Sequence, residues 1–431
     1  MPVNRRKLVG MLIGLLVITA AAGSAAASHS SSAPGVSKHK IVIGGTFPYT
    51  GPISLYKTIP SAELAYYSWV NAHGGVHHRK IKDITLNDEY NPAETVPAVK
   101  KLVEKDHVLA IVGSLGTAPG LATWGYLNKR KVPQVLLATG DAYWGNCVHR
   151  ACPAAGATTA RPYTMGWQPD YPGEAKLYAK YILKHKPNAK IGVLYQDDAY
   201  GKNYLNGFKT GLGSHKSQIV DAEPYNYTDS AQVVGGHVVK IAGSGADVFV
   251  IFATPSAAIA ALATEGQIPN WHPLTIDNNV SNNRIFMQIA AKNGANLDGV
   301  ISTSYTLSPT ANANTHGVKL AKAIIHKYAP GGVGSLDSQF AAGDGNLVYG
   351  LAVGWTFVDA LKHAGKNPTR KSLMHALRNM NEKNNPFIFP GMLVKTSKKR
   401  NFPMEQLIFM KWAGGATGDW KTFGHVVFSG H

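Results

Sequence analysis

Short apolar runs alternate with longer segments of helical period along most of the chain. Runs near 40–47, 82–88, 108–113, 134–138, 163–166, 190–195, 218–224, 247–253, 273–276 and 299–304 predict strands, and the intervals predict helices. In the first unit Ile41, Val42 and Ile43 suit a strand covered on both faces, and Thr50, Gly51 and Pro52 break it. From Ile59 onward Ala62, Ala65, Tyr66, Trp69 and Val70 recur at three- and four-residue spacing, and Gly74-Gly75 stops that helix. This alternation implies parallel sheets with right-handed crossovers and helices on both faces. Segments 190–195 and 247–252 repeat the apolar strand and polar turn of the first unit, as the sheet of a second domain would. After residue 304 the pattern becomes helical, with Leu347, Leu351, Trp355, Val358 and Leu361 forming a core stripe over 346–363. Pro390-Gly391 then precedes two apolar runs, 392–394 and 407–412, which predict an antiparallel hairpin added to a sheet edge.

The first residues follow a different rule. Arg5, Arg6 and Lys7 precede an apolar run from Leu8 to Ala22 and a small-residue stretch ending Ala25-Ala26-Ala27, the layout of a secretory signal peptide cut after Ala27. An uncleaved anchor is the alternative, although the run is short for a spanning helix. The first cysteine is Cys147, so no lipid-bearing Cys stands at the cleavage point. The expected product is exported, periplasmic or extracellular, and not a lipoprotein. Residues 28–39 are Ser-rich and predict a disordered leader.

About 400 residues remain, enough for two domains. The net charge is +18, and losing Arg5, Arg6 and Lys7 leaves it strongly basic. The Lys and Arg residues are dispersed, which points to a solvated basic surface and to no nucleic-acid partner. Even the densest cluster, 395–400, falls between two late strands. Cys147 and Cys152 lie five apart in an exported chain and are expected to form a disulfide that shapes a loop. His149 between them lacks the further ligand pair a zinc site requires, and no metal or cofactor is expected.

Catalytic motifs are absent: there is no HExxH, no GxSxG, no GxxxxGK[ST], and no GxGxxG opening a helix after a strand. The seventeen histidines are scattered, and Asp88-Glu89 and Asp197-Asp198 sit where helix caps belong. What recurs is hydroxyls and aromatics at strand ends: Thr50 and Tyr56, Ser114 and Thr117, Thr139, Tyr200, Thr254. Those ends converge in a doubly wound domain, so together they describe one polar, aromatic lining for a small molecule. Thr117 is placed to cap a helix with Pro119 in its first turn; its hydroxyl and the free N–H groups would face a ligand carboxylate, or the hydroxyl would only cap its own helix.

TGPISLY at 50–56, NAHGGV at 71–76, LNDEYNPAETV at 86–96, LVEKDHVLAIVGSLGT at 102–117 and VLYQDDAYGKNYLNGFKTGL at 193–212 together resemble the solute-binding proteins of the branched-chain amino acid ABC-importer family. The resemblance runs from about residue 40 to the C-terminus. It implies an α/β chain with the type I periplasmic-binding-protein fold, in which two doubly wound parallel-sheet lobes are joined by a three-crossover hinge. The implied lobes are 40–163 plus 304–388 and 164–303 plus 389–431. By the same resemblance Tyr56, Thr117 and Tyr200 bind ligand, and Thr139 or Gly140 occupies the family's threonine turn. Two positions depart from the pattern. Thr254 replaces an aromatic, and Asn278 replaces the glutamate that holds the ligand ammonium, while Asp277 next to it should face the other side of its strand. Zwitterionic leucine, isoleucine and valine are therefore expected to bind weakly. TMGWQPDY at 164–171 resembles a subgroup whose Trp167 and Tyr171 would either favour a flatter ligand or pack the hinge. The implied function is capture of an amino acid or other carboxylate, aromatic ones included, by a monomeric non-enzyme that delivers it to the permease subunits of an ABC transporter. The alternative is a sensory protein of the same fold.

Overall fold

Five parallel strands built from the first apolar runs form one sheet: β1 (Lys40–Phe47), β2 (Lys80–Asn87), β3 (Ile111–Val112), β4 (Gln134–Leu137) and β5 (Thr164–Gly166), in the order β2-β1-β3-β4-β5. The computed structural model describes residues 33–430. The expected signal peptide and the start of the expected leader lie outside the described residues. β1 is flanked by strands on both sides and by helices on both faces, which is why Ile41 and Ile43 are fully buried.

The second sheet has seven strands. β6 (Ile191–Gln196), β7 (Ile219–Tyr225), β8 (Val248–Phe252), β9 (Leu274–Asp277) and β10 (Ile301–Ser304) are parallel. After the small pair β11 (Asn381–Glu382) and β12 (Val394–Lys395), strands β13 (Gln406–Ala413) and β14 (Asp419–Phe428) complete the sheet in the order β14-β13-β10-β9-β8-β6-β7. The central β8, VFVIF, is buried at every position, as a continuous apolar strand between two neighbours must be.

Several expectations are corrected. The late hairpin pairs β13 with β14, not with 392–394; a Gly414-Gly415 turn joins the two strands, and β14 alternates Trp420, Phe423 and Val426 with Lys421, Thr422 and His425, an edge pattern too polar to stand out. Met392 and Val394 pack in the same core as Ile41 and Ile43, and β12 pairs with β11. β5 pairs with β4 in the first sheet. Residues 33–39 of the expected leader are ordered against β1: Val36 is buried, and Gly35 accepts a hydrogen bond from the Val42 N–H at 2.7 Å. The helix Gly345–His363 buries Leu347, Leu351, Val358 and Leu361 against the helix Thr58–Ala72.

Cys147 and Cys152 form a disulfide with a Cα–Cα distance of 5.7 Å, beside Trp124, Trp144 and Ala157 in the first lobe. Among the described residues no helix is long and apolar enough to cross a membrane.

Candidate functional site

The carboxyl ends of β2, β3, β4, β6, β8, β9 and β10 open onto one cavity of about 100 Å³ between the two sheets. This is the position at which parallel strands and their following helices leave backbone and side-chain polar groups facing a common space. Residues from both lobes close it.

On the first lobe, Gly116 and Thr117 form the wall after β3. Gly116, not Thr117, is the N-cap of the helix Thr117–Lys129; its φ of 110° suits glycine, and a Cβ there would lie 2.5 Å from Tyr90 Cε2. Thr117 is the first helical residue, and its hydroxyl is 2.7 Å from that of Thr139. The hydroxyl is thus turned away from capping, and the first-turn N–H groups of this helix face the cavity side. Thr139 stands behind Thr117 and braces it. Ser114 also stands behind the wall, where its hydroxyl accepts the Thr46 N–H at 3.0 Å. Gly140 does not line the cavity either. It fits against Pro169 and the ring of Tyr171, and its carbonyl accepts the Tyr171 N–H at 2.7 Å.

On the second lobe, Tyr200 opens the helix Ala199–Leu212, whose N-cap Asp198 accepts the N–H groups of Tyr200 and Gly201. Thr254 precedes the helix Pro255–Gln267 but makes no side-chain cap; its hydroxyl donates to Gln196 Oε1 at 3.1 Å, and the Tyr225 hydroxyl lies 3.1 Å away. Tyr56 reaches across from the first lobe and donates to the Val280 carbonyl at 2.8 Å. Tyr56, Thr117, Tyr200 and Thr254 are therefore brought together.

Asn278 and Asp277 are not. The Asn278 amide donates to the carbonyls of Ile251 and Ala253 at 2.9 Å, and its Oδ1 accepts the Val280 N–H at 3.1 Å and the Tyr200 hydroxyl at 3.4 Å, which holds it at the sheet end behind Tyr200. Asp277 is fully buried in β9 with neither oxygen hydrogen-bonded among the described residues. The wall at this strand end is made by Asn279, Val280, Asn282 and Asn283 instead.

Sequence reasoning missed Tyr90, Gln168, Tyr305 and Tyr349, which also line the cavity. Tyr90 and Tyr305 follow the ends of β2 and β10, so the strand-end rule that found Tyr200 would have found them. Tyr349 lies on the helix Gly345–His363, whose periodicity reads as core; nothing local marks its hydroxyl, which donates to Gln168 Oε1 at 3.1 Å. Tyr171 lines the cavity, whereas Trp167 is fully buried in the hinge, edge-on to Tyr305 and Tyr349, and donates to the Thr356 hydroxyl.

Among the described residues the lining holds no Asp, Glu, Lys, Arg or His. Six tyrosines line it, and burial pushes the phenols of Tyr56, Tyr90, Tyr200, Tyr305 and Tyr349 well above their ordinary range, so they remain neutral donors. Carboxyls lie one layer further back. Glu174 is fully buried and accepts from Tyr178 at 2.6 Å, from Tyr204 at 2.8 Å and from the Asn279 N–H at 2.9 Å, with further bonds from the Asn279 amide and Thr303. Burial raises it to about 7 against those hydrogen bonds. Among the described residues no group of three His, Cys, Asp or Glu could hold a metal.

Further bonds join the lobes around the cavity. Ser256 donates to the Pro52 carbonyl at 2.8 Å, Asn203 exchanges bonds with Asp141 and the Ala142 N–H, and Asn283 donates to Asp344 at 2.6 Å. The lobes are closed on each other.

A family model for periplasmic binding proteins matches residues 40–417. A curated relative, the Leu/Ile/Val-binding protein homolog 3 of Brucella melitensis, is 26% identical over 210 residues, 48% of this chain and 53% of the relative. The chain thus aligns with about half the length of that relative. Among solved structures, a branched-chain amino acid ABC transporter protein from Thermus thermophilus with bound valine is similar at a TM-score of 0.75, with 17% identity, over 90% of this chain and 96% of that one. A fatty acid ABC transporter substrate-binding protein from Thermomonospora curvata is similar at 0.71, with 20% identity, over 91% and 94%. These likenesses show the fold, two α/β lobes around a cleft.

Proposed function

Since the chain belongs to the periplasmic binding protein family, we propose that it is an exported receptor that captures one small organic solute between its lobes and presents it to the permease of an ABC transporter. The observation that carries this reading is the uncharged cavity built from the strand ends of both lobes, with Tyr56 bonded across it to Val280. Such a site works by shifting an open-closed equilibrium toward the closed form, and no bond is broken. The lobes are taken as 40–166 plus 305–396 and 167–304 plus 406–430. The fold does not choose the ligand, because structural neighbours of similar likeness carry valine in one case and a fatty acid role in another.

A thermal-shift screen of amino acids, carboxylic acids, amides and small polyols tests the reading. A ligand at 100 times its dissociation constant should stabilise the protein by about 2.7 kcal/mol. Tyr56→Ala and Tyr200→Ala should each remove most of that shift while leaving the ligand-free melting transition nearly in place. No shift with any solute would refute the receptor reading, and unfolding of Tyr56→Ala would assign Tyr56 to the core.

A further inference from the structure

Resting on that reading, we propose that the solute is a small monocarboxylate that carries no cationic group. Three observations converge on this class. The first is the lining itself: a buried ammonium needs an anion, since an unpaired buried charge costs several kcal/mol, and no carboxylate reaches the cavity. The acids nearest to the wall cannot be recruited without dismantling it. Glu174 is engaged by Tyr178, Tyr204, Asn279 and Thr303, Asp277 is enclosed in β9, and Asp344 accepts from the Asn283 amide at 2.6 Å and the Asn346 N–H at 3.0 Å.

The second observation is the direction of the cavity's fixed dipoles. The helices Thr117–Lys129, Pro255–Gln267 and Gly345–His363 all begin at the wall, through Thr117, Thr254, and Gly345 with Asn346. The first two have no side-chain cap and present the positive ends of their backbone dipoles to the cavity, which favours an anion and opposes a cation, whereas the third is already capped by Asp344, which accepts the Asn346 N–H at 3.0 Å. The first of these has a cap residue without a side chain, so the N–H groups of Thr117 and Ala118 are open to a carboxylate, Pro119 having none and that of Gly120 going to the Gly116 carbonyl.

The third is a donor that opens onto the cavity. Tyr305 is 5% exposed and lines the cavity, and its hydroxyl, bonded to no other described residue, is open to the cavity space rather than enclosed in protein. Burial, then the neighbouring Tyr349, Glu174, Tyr171 and Tyr56, push its phenol well above the ordinary range, so it stays protonated and donates. A carboxylate oxygen supplies the missing acceptor; an ammonium does not.

The test uses matched ligands in the same thermal-shift format, followed by titration: 4-methylpentanoate against leucine, 3-phenylpropanoate against phenylalanine, each acid against its primary amide, and glycine betaine as a cation that an aromatic cage would take. We expect at least one acid to bind, with its amino-acid counterpart at least about 100-fold weaker, its amide at least about 10-fold weaker, and betaine silent. Tyr305→Phe should weaken the acid about 3- to 10-fold while leaving the ligand-free melting transition unchanged. An amino acid or betaine that binds as tightly as the best acid would overturn the class and leave the receptor reading standing. Shifts confined to amides or polyols would do the same. Silence across the entire wider screen would instead sink the receptor reading itself.

Discussion

The cavity and the acid clusters behind it are both buried and polar, yet only the clusters hold carboxyl groups. In the second lobe Glu174 and Asp277 lie behind the Asn279 wall. In the first lobe both Glu63 oxygens, the Tyr67 hydroxyl and Asp83 Oδ1 are buried without a hydrogen-bond partner among the described residues. A chain that encloses this many acids has no general bar against burying them. Their absence from the lining is therefore a property of the site. Behind the wall a carboxyl can keep its proton and cost little; facing a ligand, a group that titrates near neutral pH would change the site's charge as conditions changed.

The sharpest way to break this contrast is to remove an acid that carries bonds. Glu174→Ala would leave the Tyr204 hydroxyl and the Asn279 N–H without their acceptor and the Tyr178 hydroxyl with only the Asp277 carbonyl and Thr303, so it should destabilise the fold by about 3 kcal/mol or more. Equilibrium urea unfolding of the ligand-free protein measures it. A loss below about 1 kcal/mol would mean that the network is replaceable by water.

Next comes pH. Burial raises Asp83, Asp141 and Glu174 to about 7 and Glu382 to about 8. The folded state then keeps protons that the unfolded chain releases near pH 4, so the contribution of these groups is greatest at low pH and falls as pH rises toward 7 to 8, then levels off. The urea midpoint should accordingly decline between pH 5 and pH 8. A midpoint that climbs over that range would show that these acids are ionised in the native protein. The smallest effect belongs to Glu63→Gln. With no bonded partner to lose, it should change stability by less than about 1 kcal/mol and flatten the pH dependence slightly.

Much of the fold was legible because a parallel strand covered on both faces writes a continuous apolar run, and β1, β6 and β8 did so. The second strand of the late hairpin did not, since an edge strand exposes half its residues. At the site, Tyr56, Thr117, Tyr200 and Thr254 were found because strand ends converge in this topology, and Ser114, Thr139 and Gly140 were close but one layer behind. Asn278 was misplaced for a physical reason: two backbone carbonyls at the sheet end claim its amide, a demand invisible in sequence. Tyr349 and Gln168 come from distant segments that only packing brings together.

The central claim is that a charge-free lining selects the ligand, and Gln168→Glu tests it most directly. Gln168 lines the cavity; its Oε1 already accepts from Tyr349, and where its Nε2 donates to the Tyr171 hydroxyl at 3.5 Å a carboxylate oxygen would instead accept from that hydroxyl. Two unit charges about 6 to 8 Å apart at an effective dielectric of about 20 repel by about 2 to 3 kcal/mol. Titration of the best carboxylate ligand into native and variant protein at pH 6 and pH 8 should show a roughly 10- to 100-fold loss of affinity at pH 8 that shrinks at pH 6, where the introduced carboxyl is protonated. Equal affinity at both pH values, in a variant that still melts like the native protein, would contradict the account.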